Sequence, residues 1–201
     1  MEEKIYYQEL VEQYSRPLYN FCMHLTGNTD AAQDLFQDTF VKAMEKEKVL
    51  EKIKNQYYAD EKQERTQEEN LKEKRGENLP GKEIPQLRNY LIGIAIKLWK
   101  YGKRKEAWRG EIAPVEHKSE ETGEVSAKGR GPEEAYLHKE ELLEVRRQVA
   151  RLSDKLRIVV VLYYAQEMST EEIAKQLRIP AATVRSRLHK ARSLLKKELE
   201  I

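Results

Sequence analysis

Apolar residues recur three and four positions apart along most of this chain, the spacing of helices with one buried face. Between Ile5 and Met44 the pattern predicts helices interrupted at Gly27, a C′ residue, with Asn28 or Thr29 capping the next one. In that next helix Ala32, Leu35, Phe36, Phe40 and Ala43 make a core face, while Asp34, Gln37, Asp38 and Val41 form a second face. From Glu45 to about Glu83 the pattern thins to a narrow stripe of Val49, Leu50 and Ile53 in a background of Glu, Lys, Gln and Asn. The first half of that segment can extend a helix; the second half reads as solvated chain. Pro85 opens another helix, with Leu87, Leu91, Ile94, Ala95 and Leu98 as its buried stripe. Periodicity is lost again from Gly110 to Gly131, which reads as a linker. Pro132 begins a last helical set, carrying Leu142, Val145, Val149 and Leu152, then Ile158, Val159, Leu162 and Tyr163 after a Ser153 cap. VVVLYY alone could pass for a strand, but its shortness and its helical neighbours assign it to a helix.

The richest segment is STEEIAKQLRIPAATVRSRLHKARSLLKK, from Ser169 to Lys197. Ser169 followed three residues later by Glu172 is a capping box. Ile173, Ala174 and Leu177 are the buried side of the helix that it opens, and Pro180 ends that helix and suits the first turn of the next. Val184, Leu188, Ala191 and Leu195 share one face of the second helix. Ser186, His189, Lys190 and Ser193 point the opposite way, flanked by Arg185, Arg187 and Arg192. Two short helices, a tight turn and an acid-free second helix fit a helix-turn-helix that enters a DNA major groove. An amphipathic helix with a solvated basic face is the competing reading, and Lys196 and Lys197 suit a helix C-terminus on either one.

Composition narrows the field. The chain has 201 residues, 36% of them charged, and a formal net charge of only +2. Nucleic-acid contact must therefore come from local patches rather than a uniformly basic surface. Cys22, the single cysteine, excludes an intramolecular disulfide and a cysteine-based zinc site, and its apolar neighbours Leu18, Phe21 and Leu25 mark it as a buried structural thiol. The N-terminus has no basic start and apolar run, and YLIGIAI is too short to span a bilayer. These features predict a soluble, cytoplasmic protein without a membrane-inserted segment.

A second basic patch lies on the helix after Pro85, where Gly93, Lys97, Lys100 and Arg104 recur on the face opposite the apolar stripe. Lys103, Lys105 and Arg109 add charge, and Tyr90, Trp99, Tyr101 and Trp108 are interleaved. Aromatics beside a cationic groove suit single-stranded nucleic acid, because every base offers a face for stacking. Tyr90 and Trp99 could equally fill the core. The linker between the two patches, some 22 residues, would reach at most about 75 Å fully extended, or roughly two turns of B-DNA.

On these residues the chain resembles bacterial RNA polymerase sigma factors of the extracytoplasmic-function (ECF) group of the sigma-70 family. AAQDLFQDTFVKAM looks like the region 2 helix that docks on the polymerase clamp, LRNYLIGIAIKLWKYGKRK like the segment that opens and reads the −10 element, and the stretch from Leu152 to Lys197 like the domain that reads the −35 element. The resemblance implies an all-α fold of two helical domains joined by a flexible linker: region 2 over residues 1–109 with the charged insertion at about 45–84, the linker at 110–132, and region 4 with the helix-turn-helix at 133–201. It implies core polymerase binding by Asp34, Leu35, Phe36, Gln37 and Asp38, and −10 contacts by Tyr90, Lys97, Lys100, Lys103 and Arg104. It assigns −35 contacts to Thr183, Arg185, Ser186, His189 and Lys190, with Arg187 and Arg192 on phosphate. The implied partners are core RNA polymerase, promoter DNA and an anti-sigma factor, with no cofactor, metal, catalytic residue or small-molecule substrate. Three departures stand out: Lys97 occupies a position where the family often has Asn, Tyr101 lies near one where it has Asp or another polar residue, and the Glu45–Glu83 segment is longer than the usual connection.

Two rival classes lack supporting features. A stand-alone helix-turn-helix regulator with a receiver domain would need an α/β half carrying a phosphoacceptor aspartate, and the N-terminal half reads as helices. An enzyme acting on nucleic acid would need a constellation that His24, His117, His138 and His189 do not form.

Overall fold

The computed structural model describes residues 2–69, 84–108 and 132–199, which are helical almost throughout. The order is α1 (Glu2–Thr26), α2 (Thr29–Met44), α3 (Glu47–Glu69), α4 (Pro85–Trp108), α5 (Pro132–Arg151), α6 (Asp154–Val160), a π-helical turn (Val161–Ala165), α7 (Thr170–Leu177) and α8 (Ala181–Glu198). The linker expected at 110–131 and the second half of the charged segment lie outside the described residues.

Local chemistry sets the boundaries. Gly27 ends α1 with a φ of 71°, a conformation open to glycine at no steric cost. Asn28 then caps α2, its side-chain oxygen accepting from the Ala31 N–H at 2.9 Å. Ala32, Leu35, Thr39, Phe40 and Ala43 are the buried face of α2, and Thr39 satisfies its hydroxyl on the Leu35 carbonyl at 2.6 Å. Phe36 is only half-buried, meeting Tyr19 and Phe40 edge-on at 5.8 and 5.1 Å between ring centroids. Tyr14, 1% exposed, ties α1 to the start of α4: its hydroxyl donates to the Ile84 carbonyl at 3.2 Å and accepts the Ile84 N–H at 2.7 Å.

Three details differ from the sequence pattern. Within the charged segment, Val49 of the expected stripe is exposed, while Leu50 is completely buried, with Ile53 and Tyr57 packed behind it. So α3 is anchored to the core at its first half. On α4 the buried set is Leu87, Leu91, Ile92, Ala95, Ile96 and Trp99, while Ile94 and Leu98 are half-buried. That helix is covered on a wider arc than one stripe because it meets α1, α2 and α3 together. On α5, Val145 is exposed, whereas Gln148 and Ala150 are buried. Cys22 is fully buried as its neighbours indicated, and desolvation pushes its thiol up to about 12.

The two halves share one core. Ile158, Val159, Val161, Leu162, Met168, Ile173, Val184 and Leu188 from the C-terminal half belong to the same apolar cluster as Leu10, Phe21, Leu25 and Trp99. α5 and the π-helical turn lie against α1. Arg157, 9% exposed, sits at this junction and donates to the carbonyls of Leu25, Ala150 and Leu152. It thereby serves the open C-terminal ends of α1 and α5 with one cation.

Candidate nucleic-acid and polymerase interfaces

The helix-turn-helix is built from α7 and α8. Ser169 accepts the Glu172 N–H at 3.2 Å while the Glu172 carboxylate takes the Ser169 N–H at 2.8 Å and its hydroxyl at 2.7 Å, a complete capping box. Arg178 closes α7 in the left-handed region, with φ 54°. Pro180 stands at the N-cap of α8 rather than inside its first turn, with ψ 142°. An extended backbone is the usual conformation of the residue at a helix N-cap. The Ser169 N–H and hydroxyl hold the Glu172 carboxyl below the ordinary glutamate range. A carboxyl depressed in the folded state adds stability above its unfolded pKa of about 4.3, and that contribution disappears as pH falls through the lower folded value. Ser169→Ala is therefore expected to cost about 1 kcal/mol at neutral pH. Thermal melts should show the gap between variant and parent narrowing below about pH 4, where the hydroxyl–carboxylate bond is lost; a gap that stays constant to lower pH would exclude a contribution from that bond.

On α8, Val184, Leu188 and Ala191 are buried and Leu195 is half-buried. Arg185, Ser186, His189, Lys190 and Arg192 are exposed, while Thr183 and Arg187 are half-buried. The outward residues are not all unengaged. Ser186 donates its hydroxyl to the Thr183 carbonyl at 3.0 Å. Arg185 lies 3.5 Å from the Glu171 carboxylate, a pair exposed on both sides and correspondingly weak. The Glu171 carboxyl is held low first by the Thr170 hydroxyl, then by its own backbone N–H, with Arg185 adding to the effect. Arg192 donates Nε to the Tyr164 hydroxyl at 2.8 Å, and its guanidinium lies 5.5 Å and 5.7 Å from the Tyr163 and Tyr164 ring centroids. This clamp has no local sequence signal. It depends on the π-helical turn, which presents Tyr163 and Tyr164 to an arginine that lies 28 positions beyond Tyr164.

On α4, Lys97, Lys100 and Arg104 are exposed, and Lys103 and Tyr90 are half-buried. Of the aromatics beside them, Tyr101 is 61% exposed and Trp99 only 6%. Trp99 is thus a core residue, and Tyr101 has the open ring. Although Lys100 is exposed, partial desolvation lowers its pKa first, with Arg187 and Arg104 acting in the same direction and Asp154 opposing them. On α2, Asp34, Gln37, Asp38 and Val41 are exposed together, with Leu35 turned into the core and Phe36 half-buried beneath them. The described residues hold no cluster of His, Cys, Asp and Glu able to bind a metal, and no helix among them is long and apolar enough to cross a membrane.

Three surface features stand out among the described residues: the capped helix-turn-helix with its cationic α8, the basic α4, and the exposed acidic outer face of α2. Residues 10–57 match the Sigma-70 region 2 family and residues 142–195 match Sigma-70 region 4. The chain is 26% identical over 198 residues to the ECF RNA polymerase sigma factor SigW of Bacillus subtilis, covering 96% of this chain and 88% of that protein. It is 25% identical over 192 residues to the RNA polymerase sigma factor YlaC of the same organism, covering 96% and 91%. Its fold resembles that of the sigma factor RpoE of Bartonella quintana, solved with the anti-sigma factor NepR, at a TM-score of 0.61, 21% identity and 98% coverage of both chains. The chain belongs to the ECF group of the sigma-70 family. The region 2 match ends at Tyr57, so the first half of α3, with its buried Leu50, lies inside the family's own module.

Proposed function

We propose that the outer face of α2 docks core RNA polymerase, that α4 engages the −10 element, and that α8 reads the −35 element. The general activity follows from family membership: the chain is a sigma factor that binds core polymerase and directs promoter-specific initiation. Sigma factors are non-enzymatic initiation factors, and this chain would contribute binding energy and no bond-making chemistry. The observation that carries the assignment of roles is the outward face of α8, where Arg185, Ser186, His189 and Lys190 are exposed on a helix held from behind by Val184, Leu188 and Ala191. Such a helix presents donors to base edges while lysine and arginine meet phosphate.

On α2, Asp34, Gln37 and Asp38 would contact the polymerase directly, with Leu35 and Phe36 fixing the helix from below. On α4, Lys97, Lys100, Lys103 and Arg104 would follow the DNA backbone, and Tyr90 and Tyr101 would stack on bases freed by melting. An anti-sigma factor is the expected inhibitory partner, by analogy with the solved relative bound to NepR. The protein would work in the cytoplasm, where the bacterial polymerase meets the chromosome.

Transcription from a library of genomic fragments, with purified core polymerase and this protein, tests the reading. Specific initiation at a shared promoter class is expected. Sequence-specific DNA binding without any initiation would favour a stand-alone regulator instead. Asp34→Ala with Asp38→Ala should weaken core binding by about tenfold, roughly 1.4 kcal/mol, with the melting temperature unchanged because both carboxylates are exposed. Unchanged core affinity would remove α2 from the docking surface.

A further inference from the structure

We infer that Arg192 is a positioning residue: anchored on Tyr163 and Tyr164, it fixes the roll of α8 about its own axis, and so the aim of the side chains that read the −35 element. The inference rests on the role of α8 proposed above, and it takes Arg192 away from the phosphate contact that the family resemblance implies. Arg192 donates Nε to the Tyr164 hydroxyl at 2.8 Å, with its guanidinium 5.5 Å and 5.7 Å from the two ring centroids. The rings brace each other edge-on, 5.0 Å between centroids and inclined at 77°. Both belong to the π-helical turn, where the Gln166 N–H reaches back five residues to the Val161 carbonyl at 3.2 Å. Val161, Leu162 and Gln166 are buried, so the tyrosines stand on a fixed base.

Behind α8 lie Val184, Leu188 and Ala191. Apolar packing is non-directional, so it resists separation of the helix far better than rolling. A hydrogen bond is directional and resists both. At about 100° per residue, Arg192 stands about 20° around the helix from Arg185, two turns earlier. Arg185 lies 3.5 Å from the Glu171 carboxylate on α7. One edge of α8 is thus tied at two points, to the π-helical turn and to α7. The Arg185–Glu171 pair is exposed and weak, which leaves Arg192 as the stronger tie. Side-chain tips lie about 5–6 Å from a helix axis, so a roll of about 20° carries them about 2 Å. A hydrogen bond of about 2.9 Å to a base edge does not survive that displacement.

Holding phosphate and holding the helix make different demands on this side chain. With its Nε–H occupied, Arg192 cannot offer a phosphate the fork that Nε and a terminal nitrogen form together. A phosphate contact needs the charge and accepts a lysine in its place, whereas the clamp needs the planar guanidinium and the Tyr164 hydroxyl. Arg192 and Tyr164 are exposed, so their contact adds little to global stability, and its effect lies in the aim of α8.

The test uses core polymerase reconstituted with the full chain, on promoters that the parent selects. Tyr164→Phe removes the accepting hydroxyl and keeps both rings; Arg192→Lys keeps the charge and loses the guanidinium. Each should lower the ratio of initiation on native over scrambled −35 elements by at least about fivefold, the equivalent of one base contact. The double variant should fall no further than the stronger single one, because the two residues act as a unit. Melting temperatures should stay within about 2 °C of the parent. In Arg192→Gln, which removes the charge, the salt slope of promoter binding should match that of the parent. A slope lower by about one identifies a phosphate contact and overturns the inference. So does a ratio preserved in either Arg192→Lys or Tyr164→Phe, and so do additive losses in the double variant. The two readings fail separately. A parent that initiates equally on native and scrambled elements sinks the assignment of α8, and the clamp's role with it; a parent that discriminates, with variants that discriminate equally well, sinks the clamp's role alone.

Discussion

Replacing Arg157 with methionine should destabilise the protein by about 3–4 kcal/mol, because one guanidinium satisfies the carbonyls of Leu25, Ala150 and Leu152. Methionine keeps much of the packing volume and removes every donor. The three carbonyls then face a buried site, and the ends of α1 and α5 lose their cation. For a chain of this size each kcal/mol corresponds to about 2–4 °C, so the melting temperature should fall by roughly 6–16 °C. Arg157→Lys should fall between the two, since an ammonium cannot fork toward three acceptors as a guanidinium does. Burial lowers the Arg157 pKa and Asp154 opposes that shift, but arginine remains protonated across the accessible range. The loss should accordingly be the same at pH 6 and pH 9. A melting temperature within about 2 °C of the parent, under 1 kcal/mol, would mean that water replaces the guanidinium readily.

The second large effect belongs to α8. Arg185→Ala, His189→Ala and Lys190→Ala together should reduce −35-dependent initiation by at least about 10²-fold, since each good base contact contributes about 1–3 kcal/mol of discrimination. All three side chains are exposed, so folding should be preserved. The salt dependence of DNA binding should also flatten, its slope falling by about one for each phosphate that the variant no longer neutralises. Measuring initiation on promoters with native and scrambled −35 elements separates the two roles. If the triple variant loses activity equally on both, these residues hold phosphate and the base reading lies elsewhere on the helix.

Much of this fold is visible in the order of residues because its helices are amphipathic and clearly punctuated. The Ser169–Glu172 box, the Asn28 cap and the break at Gly27 each follow from backbone groups that must be satisfied within three or four residues. The apolar stripe of α8 is equally local, and it fixes which side of that helix faces solvent. The basic character of α4 was legible in the same way. Its buried arc was not, because a helix touched from several directions buries residues that a single stripe would leave out. Trp99 illustrates the difference: Lys97 and Lys100 stand close to it in sequence, yet in space it is buried in the shared apolar cluster, with the Arg157 guanidinium 5.7 Å from its ring.

Leu50 shows a similar limit. The thin stripe of Val49, Leu50 and Ile53 is visible in a segment rich in Glu and Lys, but not that Leu50 would be completely buried and Val49 exposed, which other helices decide. The arginines of α8 look alike in sequence and differ in space. Arg192 is held by a tyrosine pair on the π-helical turn, Arg185 faces Glu171, and Arg187 is half-buried rather than exposed.

By itself, the sequence determined the helices, their caps, the helix-turn-helix, the two basic patches and the resemblance to sigma factors, since each depends on spacings within one or two turns. Only the tertiary structure decided that both halves share a core, that Arg157 bridges them and that Gln176 rests on Gly93. Those contacts join residues tens of positions apart. No local period encodes them, because their energy arises only when separate helices come together and exclude water.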